Sequence, residues 1–135
     1  DIFSVRIAGN FVNSDILGSM EFACKLAGTS LIVVLGHTAC GAVKGACDDA
    51  ELGNLTGMLG KIKPAVEAVV EPKDKALRKS SNIEFVNHVS TKNVELTIAR
   101  ILAESEVLAE MQKEGSLKIV GAMYNIANGE VVFYE

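Results

Sequence analysis

His37 and Cys40 stand three residues apart in "LGHTACGAVKGA" (35–46), directly after an apolar run and bracketed by Gly36 and Gly41. An imidazole and a thiolate at that spacing can reach one metal ion across a turn, and zinc prefers such donors. The small residues that follow predict a helix with Cys40 at its N-terminus. Free N–H groups and the helix dipole there favour thiolate over thiol. H-x-x-C alone is a common accident; its place after a buried strand, where α/β folds gather their chemistry, gives it weight. The other soft donors fit less well. Cys24 falls on the apolar face of a predicted helix and reads as core. Cys47 follows Cys40 by two helical turns, about 10 Å, too far to share its ion. His88 reads as a surface residue.

A strand must deliver these side chains and a helix must receive them. Residues 31–35, "LIVVL", are too short and too β-branched for a helix and are apolar on both faces. That predicts a central parallel strand covered on both sides. Residues 2–8, "IFSVRIA", alternate and are rich in β-formers, predicting another strand. Between them, residues 16–27 carry Leu17, Met20, Cys24 and Ala27 at helical spacing, with Ser14 or Asp15 as N-cap and Gly28 as the stop. Residues 2–35 thus read as a right-handed βαβ unit.

Beyond the histidine, helices are predicted at 40–48, at 55–70 with an interruption around Pro64, and at 85–113, where Gly115 stops the run. The last has Val94, Ile98, Ile101, Leu102, Leu108 and Met111 as its apolar stripe. "EPKDKALRKSSN" (71–82) reads as a surface connection. "LKIVGAMYNI" (117–126) is a further buried strand, and Asn128-Gly129 signals a type I′ hairpin into an antiparallel edge strand, "EVVFYE". The expected fold class is α/β: a mostly parallel sheet flanked by helices, with an antiparallel C-terminal edge strand, in one domain over 1–135.

Composition narrows the partners. With 135 residues, 49% hydrophobic and 22% charged, the chain is of globular type. A net charge of −4 argues against nucleic acid. No apolar run approaches the roughly 20 residues that span a bilayer, so no membrane role is expected. Three cysteines at irregular spacing do not read as a disulfide framework, which predicts a reducing, cytoplasmic setting.

The segments "SVRIAGNFVN" (4–13), "GSMEFACKLAGTSLIVVL" (18–35), "GHTACGAVKGA" (36–46) and "LKIVGAMYNIANGEVVFYE" (117–135) together resemble the β-class carbonic anhydrases. The resemblance runs through the whole chain and implies a zinc enzyme interconverting carbon dioxide and bicarbonate. It implies a metal held by two cysteines and a histidine, with water or an aspartate at the fourth position. His37 and Cys40 match the second and third protein ligands. The first cysteine belongs to a C-x-D-x-R motif that these 135 residues do not contain. By the same resemblance, that motif lies on the central strand of the sheet, between residues 2–8 and 31–35. An N-terminally truncated domain is therefore expected, with the isolated chain inactive.

The resemblance also assigns roles beyond the metal. The Gly41 backbone N–H corresponds to a donor offered to bound substrate. Phe3, Ala8 and Phe22 correspond to the apolar lining of the carbon dioxide pocket, with ordinary core packing an equal alternative. Phe22 stands where many members carry tyrosine, and Ile7 where asparagine is common. A homodimer or homotetramer is implied, and Phe11 and Val12, apolar in a polar loop, suit its interface. A catalytically inactive scaffold and a carbonyl sulfide or carbon disulfide hydrolase are the competing readings.

Overall fold

In the computed structural model, which describes residues 2–134, the apolar run before His37 forms strand β1 (Leu31–His37). It lies parallel to β2 (Lys118–Tyr124), with Leu31 opposite Lys118 and His37 opposite Tyr124. Strand β3 (Val131–Tyr134) returns antiparallel to β2, giving the order β1-β2-β3. The α/β class and the antiparallel edge strand agree with the sequence.

Helix α1 (Ser14–Glu21) precedes the sheet and runs into one π-helical turn, Phe22–Leu26, before Gly28 (φ +82°) ends it. Its N-cap is Asn13, whose side chain accepts from the Ile16 N–H at 3.0 Å, rather than Ser14 or Asp15. Five α-helices and one 3₁₀ turn (Lys75–Leu77) link β1 to β2: the α-helices are α2 (Gly41–Cys47), α3 (Gly53–Gly60), α4 (Lys63–Ala68), α5 (Ile83–Glu104) and α6 (Glu106–Lys113). Pro64 opens α4, where its missing N–H costs no helical bond. None of the helices is long and apolar enough to cross a membrane among the described residues.

Helix α5 is the spine. Its C-terminal half sends Val94 and Ile101 into a core with Leu17, Cys24, Ile32, Val34, Leu108 and Ile119. Its N-terminal half sends Phe85, Val86 and Val89 into a second core with Val43, Ala46, Leu59 and Ile62. Arg78 ties the loop before α5 to α4. Its guanidinium donates to the carbonyls of Val66 (2.8 Å), Val69 (2.7 Å) and Pro72 (3.0 Å) and lies 4.7 Å from the centre of the Phe85 ring.

Gly36 explains how closely α5 seats on the strand. A Cβ there would fall 2.7 Å from Val94 Cγ2 and 2.8 Å from Met123 Sδ. Gly36→Val should therefore push α5 away from β1 beside His37 and lower stability by about 1–3 kcal/mol, read from denaturant midpoints. A midpoint unchanged from wild type would show that the contact has slack.

Several sequence expectations are corrected. Residues 2–8 form no strand, so the expected βαβ unit over 2–35 is absent among the described residues, and the parallel pair is β1 with β2. The strand-like alternation survives: Phe3, Val5 and Ile7 line a cavity of about 130 Å³ together with Leu31 and Val33. A strand also needs a ladder partner, and here the polar link to β1 is one side chain, Asn10 Nδ2 donating to the Leu35 carbonyl at 2.9 Å. Nor is β1 covered on both faces. Ile32 and Val34 are buried, but Leu31, Val33 and Leu35 are 49%, 41% and 45% exposed.

The long helix divides at Ser105, which caps α5 and starts α6. Its hydroxyl accepts from the Leu108 N–H at 3.2 Å and donates to Glu21 at 2.7 Å. The Asn128-Gly129 turn is not type I′, which needs positive φ at both central residues. Only Gly129 (φ +78°) has it, and a wider loop closes through Asn125 N–H to Glu130 O at 2.8 Å. Phe11 and Val12 are buried in this chain's own interior, 7% and 2% exposed, and are not a free interface.

Candidate metal centre

The turn from His37 to Cys40 is held at each step. Thr38 extends the sheet by one bond, its N–H donating to Tyr124 O at 3.0 Å, and its Oγ1 accepts from the Ile126 N–H at 3.1 Å. Ala39 bends the chain in the left-handed region (φ +53°), and its N–H donates to Asn87 Oδ1 on α5 at 2.9 Å. Cys40 is extended (φ −61°, ψ 122°), and its carbonyl accepts the first bond of α2 from Lys44 N–H at 2.9 Å. Strand, bend and helix start therefore fix the backbone that carries both donors.

The side chains suit zinc in type. His37 is exposed, and its Nδ1 lies 2.8 Å from the Thr38 carbonyl. A carbonyl can only accept, so in the neutral ring this contact puts the proton on Nδ1 and leaves the Nε2 lone pair for a metal. Cys40 is buried at the N-cap of α2, with its sulfur in no capping hydrogen bond. Among the described residues no group of three His, Cys, Asp or Glu side chains gathers to hold a metal. Catalytic zinc ordinarily takes three protein ligands.

Cys24 and Cys47 are, like Cys40, buried free thiols. Burial, and then the Asp48 carboxylate, push the Cys47 thiol up to about 11, and burial raises Cys24 as well. A thiol held protonated is a poor ligand. His88 is exposed on α5.

Gly41 is the exposed first residue of α2, and a Cβ added to it would meet nothing within 4 Å. The Phe3 and Phe22 rings meet tilted, with centroids 5.9 Å apart and planes at 48°, and both are half exposed. Ala8 is exposed just before Gly9. Phe3 lines the 130 Å³ cavity, whose walls among the described residues do not include Ala8, Phe22, His37, Cys40 or Gly41.

Three supporting residues escaped the sequence reading. Besides Asn87, Asn93 Nδ2 donates to Gly9 O at 2.6 Å and Thr97 Oγ1 to Asn10 O at 3.2 Å, clamping the Gly9-Asn10 bend to α5. Gly9 (φ +84°) sits where side-chain-bearing residues are strained, and a Cβ there would force the fully buried Ile62 side chain to shift. The signal was present: Asn93 and Thr97 are polar residues on the same face as Val94 and Ile101, where a core helix should be apolar.

The family profile described as "Carbonic anhydrase" matches residues 1–131. The chain belongs to the carbonic anhydrase family. Carbonic anhydrase 2 of Mycobacterium tuberculosis is 36% identical to it over 132 residues, 98% of this chain and 62% of that protein. The chain thus spans less than two thirds of that relative's length. Among solved structures, the β-carbonic anhydrase CafA of Aspergillus fumigatus superposes with a TM-score of 0.87 at 24% identity, over 100% of this chain and 64% of that one. A tetrameric β-carbonic anhydrase of Sordaria macrospora follows at 0.75 and 23%, over 93% and 64%. The fold is that of the β-class carbonic anhydrases.

Proposed function

We propose that this chain carries the zinc-binding turn of an enzyme that hydrates carbon dioxide to bicarbonate, with His37 Nε2 and Cys40 Sγ as two of the metal's protein ligands. The observation that supports it is the His37–Cys40 turn, whose backbone is fixed by strand, helix and α5 while its imidazole presents Nε2. Zinc held there supplies Lewis acidity that makes water a nucleophile near neutral pH. The Cys40 thiolate contributes a negative charge to the donor set, and the Nδ1–H bond to Thr38 O keeps His37 in one tautomer. The Gly41 N–H is assigned to hydrogen-bond an oxygen of bicarbonate. Phe3, Ala8 and Phe22 are assigned to the apolar surface that carbon dioxide needs, since the molecule offers no charge to clamp. At least one further protein ligand must come from outside the described residues.

The protein is expected to work as a homodimer or homotetramer in the cytoplasm, where thiols stay reduced. The bare apolar face of β1 supports burial against another surface. Zinc analysis and stopped-flow carbon dioxide hydration on the natural full-length protein test the reading. About one zinc per chain is expected, with activity lost on chelation and restored by zinc. Full activity in the metal-stripped protein would refute it, and a monomer by light scattering would refute the assembly.

A further inference from the structure

We infer that Asn87 is a positioning residue: its carboxamide oxygen sets the bend at Ala39 and thereby the relative placement of the His37 and Cys40 donors. The inference rests on the zinc reading above for its consequence, but its geometry stands on its own. Ala39 is a non-glycine residue at φ +53°. Left-handed backbone is strained for a residue with a Cβ, so such a bend needs its surroundings to hold it. Thr38 is imposed by the sheet, through Tyr124 O and the Ile126 N–H, and Cys40 by the start of α2. Between them, the Ala39 N–H has one partner, Asn87 Oδ1 at 2.9 Å, reaching across from a residue 48 positions away.

The donor fixes the orientation of the carboxamide, because an N–H must meet the oxygen and not the amide nitrogen. The support under Asn87 is rigid. Phe85, Val86 and Val89, its neighbours on α5, are at most 1% exposed, so the helix turn that carries the carboxamide is locked in the second core. A ligand pair spaced by a strained bend, with the bend held by a group on a packed helix, has the character of a preorganised site. Outer partners of this kind commonly change metal affinity about 10–100-fold when removed.

The test compares Asn87→Leu, which keeps the size but removes the acceptor, with Asn87→Asp, which keeps an oxygen in its place. Asn87→Ala carries the same expectation as the leucine variant should that one not fold. On the natural full-length holoenzyme, Asn87→Leu should speed zinc transfer to a chelator by about 10–100-fold and shift the absorption bands of the cobalt(II)-substituted protein. Asn87→Asp should stay close to wild type in both. In metal-free protein, amide exchange at Ala39 should accelerate in Asn87→Leu and remain protected in Asn87→Asp. Equal losses in Leu and Asp variants, or wild-type zinc retention together with unchanged Ala39 exchange in Asn87→Leu, would overturn the assignment. A wild-type protein that takes up neither zinc nor cobalt would overturn the zinc reading, while the exchange data would still decide whether Asn87 holds the bend.

Discussion

Cys40→Ser is expected to remove zinc and carbon dioxide hydration together, with activity falling at least ~100-fold, since loss of an outer partner alone costs up to that much. A serine hydroxyl stays protonated near neutral pH and is a far poorer zinc donor than a thiolate. The backbone should survive, because Cys40 begins α2 through its carbonyl and not its sulfur. His37→Ala should behave alike: it removes Nε2 while the ladder to Tyr124 remains. Cys47→Ala should keep activity within a few-fold, its thiol being buried, protonated and further along α2. Metal content and stopped-flow hydration on the same preparations decide the matter. If the Cys47 variant lost zinc while Cys40→Ser kept it, the metal has been placed at the wrong cysteine.

Phe85→Ala should cost about 3–5 kcal/mol, the range for emptying a fully buried aromatic site. Phe85 is 1% exposed and packs in the core that joins α2, α3, α4 and α5. Its ring also faces the Arg78 guanidinium, a contact of about 0.5–2 kcal/mol that alanine would forfeit. Against a total stability of about 5–15 kcal/mol, that is a large fraction of what holds the domain folded. Phe22→Ala, at a ring 52% exposed, should cost about 1 kcal/mol or less. Urea denaturation of both variants measures the contrast. Equal losses would mean that Phe22 is as much a part of the core as Phe85.

What the sequence made legible followed from local pattern. Apolar, β-branched runs located β1 and β2, and helical spacing located α5 with Val94 and Ile101 inward. The H-x-x-C turn falls at the end of β1, whose ladder continues through Gly36 to His37, and the small residues after Cys40 start α2. Reading failed where structure depends on a partner distant in sequence. Residues 2–8 carry a strand's alternation, but pairing is a property of two segments, and pattern in one cannot show it. Phe11 and Val12 looked exposed beside polar neighbours, yet α5 clamps the preceding bend through Asn93 and Thr97 and the pair turns inward. Ser105 was legible in principle, as a serine preceding Glu106 and an apolar residue three positions on, but continuous helical periodicity masked the cap. Asn87 had no such cue: its role exists only where α5 crosses the bend at Ala39.

The Arg78 knot has a bearing on which substitutions this architecture tolerates. Three carbonyls from α4 and the loop after it converge on a guanidinium that also stacks over Phe85. A lysine could not substitute: its compact ammonium lacks the planar fork that spans several acceptors while lying flat on a ring. The first turns of α5, and through them the carboxamide at Asn87, are moored by a fork that only arginine supplies.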